Sequence, residues 1–80
     1  MTHHLSSAGI LQRREHQIAE VAAIRIQIDR LESTKEELIK FHSAHSRNED
    51  ICAHLVNNIY NINMTIKHLD KVCDLIISKF

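Results

Sequence analysis

The stretch "ICAHLVNNIYNINMTIKHLDKVCDLIISKF", residues 51–80, decides the fold. Ile51, Leu55, Ile59, Ile62, Ile66, Leu69, Cys73, Ile76 and Phe80 stand 4, 4, 3, 4, 3, 4, 3 and 4 residues apart. This 3-4 spacing is the apolar seam of a helix that packs along another helix. A strand would need strict alternation, which this stretch does not sustain. Local preference for helix is mediocre here. Isoleucine is β-branched, and Asn57, Asn58, Asn61 and Asn63 favour turns. Burial of the seam must therefore hold the helix.

The first half carries a wider, less regular stripe. Val21, Ile24, Ile28, Leu31 and Leu38 follow a 3-4-3-7 spacing, flanked by Ile10, Leu11, Ile18 and Ile39. Arg14 and Lys35 fall on the seam itself. A charged residue at a core position lowers stability and selects register or partner, so both are candidate specificity residues. Their long side chains can also snorkel past the helix edge. The segment "IRIQID" (24–29) alternates like a strand, but it is short, lacks turn signals and lies inside a longer helical pattern. Ser33, Thr34, Lys35 and Glu36 resemble a capping box; the apolar phase running from Leu31 to Leu38 reads them as mid-helix.

Between the two stripes lies "FHSAHSRNED", residues 41–50. Ser46 followed by Glu49 reads as a capping box, with Asp50 adding negative charge to the first turn of the second helix. Ser6 or Ser7 is placed to cap the first. These signals give one all-α domain, an antiparallel two-helix hairpin: helix at about 7–41, bend at about 42–46, helix at about 47–79.

Eighty residues make one small domain. One glycine and no proline argue against turn-rich β structure. Ten basic and ten acidic residues cancel, six of each within 7–45 and four of each within 46–80. No basic face emerges, which argues against nucleic acid and against an anionic membrane surface. No apolar run approaches the ~18 residues of a membrane span. No secretory leader is read at the N-terminus, and two cysteines about 31 Å apart on one helix cannot pair with each other, so they are free thiols or intermolecular links. Free thiols suit a reducing cytoplasm.

Candidate chemistry is thin. His42 and His45, with Glu49 and Asp50, could ligate a metal, but they fit a polar bend better. Cys52 and His54 would point in different directions on one helix, with no third group to orient them as a nucleophile and base. His54 and His68 sit on one flank and would make association pH-sensitive only if they met a partner. Asn63-Met64-Thr65 matches a glycosylation pattern too common to carry meaning, and Ile26-Gln27 lacks the basic and glycine positions that a calmodulin-binding segment would need. No catalytic constellation, cofactor, metal or small-molecule substrate is expected.

The informative surface is the second helix away from its seam. Val56, Tyr60, Met64, Val72, Leu75 and Ile77 are apolar yet flank or lie off the seam, and Phe80 joins them at its end. Each would gain about 1.5–3 kcal/mol from full burial. Ordering the backbone costs about 1–2 kcal/mol per residue. A lone hairpin cannot meet that cost from one shared stripe, so a partner is expected. It is another helical protein or a second copy, in a homodimeric or heteromeric bundle.

Two helices with a short bend, neutral overall and apolar at the C-terminal helix, resemble the small helical proteins of bacterial type III secretion. The needle co-chaperones are nearest, with needle subunits beside them. The likeness is architectural and spans about residues 7–80. "DLIISKF" (74–80) is similar to a needle subunit's apolar C-terminus, whereas "HSAHS" (42–46) lacks the proline at which needle subunits bend. The resemblance implies a cytoplasmic helper that holds an aggregation-prone partner by helix packing. The alternative is a structural subunit that self-assembles through its C-terminal helix.

Overall fold

A computed structural model describes the backbone of residues 2–79 and the side chains of residues 13–79. Two helices make up the fold, α1 (Thr2–Ala44) and α2 (Glu49–Ile77). They fold back on each other as an all-α helical hairpin. "IRIQID" is helical, and Ser33 and Thr34 are mid-helix, with Thr34 Oγ1 donating to the Arg30 carbonyl at 3.0 Å.

All thirteen seam residues of 21–76 named above are buried or half-buried. Ile28, Leu55 and Cys73 are the ones that count as core. One ion pair joins the helices among the described residues, Arg25 Nη1 to Asp70 Oδ1 at 3.3 Å. Both partners are more than half exposed, so it marks the register more than it stabilises. The register sets residue 25 against 70, and hence residues 51–66 of α2 roughly against 29–44 of α1. The fold is long and thin, 69 × 15 × 12 Å, with a radius of gyration of 19.3 Å. A compact domain of this length would have a radius near 12 Å.

The bend differs from the expectation in place and in chemistry. α1 runs on to Ala44, and the reversal falls at 45–48 rather than 42–46. Asn48, not Ser46, caps α2: its backbone is extended (φ −100°, ψ 102°), and its side-chain oxygen accepts the Ile51 N–H at 3.0 Å. Asparagine caps as well as serine does, and Asn48 sits directly before the first helical residue, where its oxygen reaches the orphan amides. Glu49 and Asp50 still place negative charge in the first turn. At the other end α1 starts at Thr2, so Ser6 and Ser7 lie within the helix rather than before it.

Three contacts fix the turn. The His45 ring stacks on Phe41, with centroids 4.8 Å apart and planes 10° from parallel. His45 Nδ1 lies 3.0 Å from the Phe41 carbonyl oxygen, which can only accept, so Nδ1 carries a proton. The Cys52 thiol donates to the His45 carbonyl at 3.2 Å, tying the first turn of α2 back to the bend. α2 ends at Ser78, whose N–H donates to Asp74 O at 2.9 Å and whose hydroxyl donates to Leu75 O at 2.9 Å.

Replacing Asn48 with Ala should lower stability by about 1 kcal/mol, while Asn48→Asp should retain it. Ser46→Ala should change nothing. Urea unfolding of the three variants checks this; a loss at Ser46 instead of Asn48 would return the cap to the serine.

Candidate interaction surface

Successive residues of a helix are turned by about 100°, so the side chains of α2 can be placed around its axis. The seam faces α1. On the opposite side Val56, Tyr60 and Met64 follow one another at every fourth residue, about 6 Å apart along the axis. Val56 is 55% exposed and Tyr60 61%, while Met64 is half-buried. Leu75 lies on the same side at 54% exposure, separated from Met64 by Lys67 and Lys71. Val72 and Ile77 are exposed too, but each is turned about 100–120° from Tyr60. The structure thus gathers Val56, Tyr60 and Met64 into one patch and leaves Val72 and Ile77 outside it. Phe80 lies outside the described residues.

This patch sits in unusual company. From Ile51 to Ile66 no residue is Asp, Glu, Lys or Arg. The outward face of α2 here is built of Ala53, Val56, Asn57, Tyr60, Asn61 and Met64. The facing length of α1, residues 29–44, holds seven charged residues. Depletion of charge together with Tyr and Met is the composition of an interface centre rather than of a solvated helix face.

The two charged seam candidates part company. Lys35 is half-buried, its side chain 24% exposed, and its Nζ meets Glu32 Oε2 at 2.9 Å. The ammonium is thus held at the helix edge by a neighbour one turn back, while the stem covers the seam. Arg14 is exposed. By the Arg25–Asp70 register it lies beyond the last turn of α2, so it has no facing seam position to occupy.

Further exposed apolar residues lie on α1, apart from the α2 patch and beyond what periodicity singled out. Ile18 and Ile26, with Ala22 between them, form a four-residue stripe on the side of α1 turned away from α2. Ile39 and Phe41 are exposed nearer the bend. The spacing of 18, 22 and 26 was visible in the sequence. It was masked because alanine is a weak marker and because "IRIQID" mixes two periodicities.

The other candidates resolve locally. His54 and His68 are exposed on α2. A shallow, open depression at the bend is lined by residues 44–50 and is mostly polar. No group of three His, Cys, Asp or Glu residues gathers there or elsewhere among the described residues. Cys52 and Cys73 are both free thiols, the first half-buried and the second wholly buried. No helix among the described residues is long and apolar enough to cross a membrane. Comparison with protein-family models, with curated proteins and with solved structures finds no match.

Lys35→Leu should raise stability by about 1 kcal/mol or more, because an apolar side chain fills the seam without holding a charge at its edge. Urea unfolding measures it. Unchanged stability would show that the stem already fills the position and that the charge costs nothing.

Proposed function

We propose that this hairpin is a non-enzymatic interaction module, a co-chaperone or assembly subunit that works by packing the outward face of α2 against a helix of a partner. The observation that carries this is surface. The chain exposes 6507 Å², where a compact monomer of 9.3 kDa would expose about 5000 Å². The excess, about 1500 Å², goes with the thin shape of the hairpin, 69 × 15 × 12 Å, which leaves apolar side chains of both helices uncovered. Val56 and Tyr60 place large apolar groups on it where α2 has no charge to hydrate.

The non-enzymatic part of this reading draws its support from one side chain. The Cys52 thiol donates to the backbone carbonyl of His45 and not to an imidazole. Service in bacterial protein secretion, in the cytoplasm, follows from the architectural likeness to needle co-chaperones and is part of this proposal. A second reading, a subunit that polymerises through its C-terminal helix, draws on Leu75 and Ile77, which are exposed in the last turns of α2. A contact that does not close on itself would build fibres there, and electron microscopy would show them.

Sedimentation equilibrium and thermal unfolding over a range of concentrations test the module. The chain should unfold gradually when dilute and more steeply as it associates, because binding to the folded state adds to its stability. A monomer that melts steeply at every concentration would overturn the proposal.

A further inference from the structure

Resting on that interaction module, we infer that the occupant of the α2 face is a second copy of this chain, packed antiparallel about a two-fold axis near Tyr60. Two features favour a copy of itself over a foreign helix. In a two-fold contact every residue near the axis meets its own kind or a near neighbour. A face carrying one sign of charge would repel itself there. The 51–66 face carries none. What it offers instead is self-compatible: tyrosine rings that can pack on each other, and Asn57 and Asn61, whose amides both donate and accept.

The charges at the ends of the face then fix the direction. Glu49 and Asp50 stand at the N-terminal edge, and Lys67 and Lys71 at the C-terminal side. With Tyr60 at the axis, Lys71 lies at the level of the partner's Glu49 and Asp50, and the partner's Lys71 answers at the other end. A parallel pair would set acid against acid and base against base. The whole chain is neutral, so no net repulsion opposes association.

The antiparallel register places Ala53 of one copy opposite Lys67 of the other. Both residues are exposed in the hairpin, so cysteines there leave the seam intact. In a Cys52→Ser background, with the wholly buried Cys73 left in place, the full chain is made as Ala53→Cys and as Lys67→Cys. A short thiol-to-thiol cross-linker should join the two variants when mixed and should join neither to itself. Tyr60→Glu should weaken self-association at least about a hundredfold by sedimentation, because two carboxylates would meet at the axis, while Tyr60→Phe should keep it.

Cross-linking of each variant to itself would overturn the antiparallel arrangement. A dimer indifferent to Tyr60→Glu would overturn the choice of face. A chain that stays monomeric and melts gradually would overturn self-pairing while leaving the module to a foreign helix. A monomer that melts steeply would remove both.

Discussion

Two helices lying side by side share a single stripe, and the contact between α1 and α2 is no wider than that. Each helix turns one side to the other and the rest of its circumference to water. Along a hairpin 69 Å long and 12–15 Å thick, Ile28, Leu55 and Cys73 are the buried apolar residues among those whose side chains are described. Thickness is the controlling quantity. A third or fourth helix would give the same residues a second wall, and the half-buried members of the seam would become core without any change in sequence. The outward apolar residues follow from the same limit, since nothing within one hairpin can reach them.

The heptad spacing of residues 51–80 made the hairpin legible before any coordinates. Isoleucine and leucine at 3-4 intervals fix which side of α2 is buried, and Leu55 and Cys73 lie on that side. Length, neutrality and the lack of proline closed off most alternatives. The bend was less legible. Ser46 and Asn48 are both good caps, each followed by acidic residues, and the choice between them depends on where α1 stops. That end carries two short-range side-chain contacts, the stacking of His45 on Phe41 and the Cys52 thiol on the His45 carbonyl. Neither leaves a mark in local propensity, so the predicted reversal fell a few residues early. The start of α1 shows the same weakness in the other direction: Ser6 and Ser7 have the right chemistry for a cap and sit within the helix.

The outer surface was legible only in part, for a different reason. Periodicity reports an angle around a helix axis, so it finds residues off the seam but does not sort them into patches. Val56, Tyr60 and Met64 share a side, whereas Val72 and Ile77 do not, and the difference emerges only when each is placed by its turn around α2. Arg14 makes the complementary point. Its heptad phase puts it on the seam, yet a seam position needs a facing helix at the same height, and α2 has ended by then. Phase along the sequence is one coordinate; reach along the partner is another.

The composition of α2 links its shape to its company. Asn57, Asn58, Asn61 and Asn63 weaken helix formation in the same stretch that lacks charged residues, so i,i+4 ion pairs cannot support it. Thr65 donates its hydroxyl to the Asn61 carbonyl at 2.9 Å, a back-bond that mildly opposes a straight helix. What keeps these turns helical is burial of Ile59, Ile62 and Ile66 on one side, and only as far as α1 covers them. A helix held by packing on one flank has stability to gain from packing on the other, and any covering partner adds its binding free energy to the fold. The asparagines and the uncharged outer face leave the stability of α2 dependent on the packing it receives.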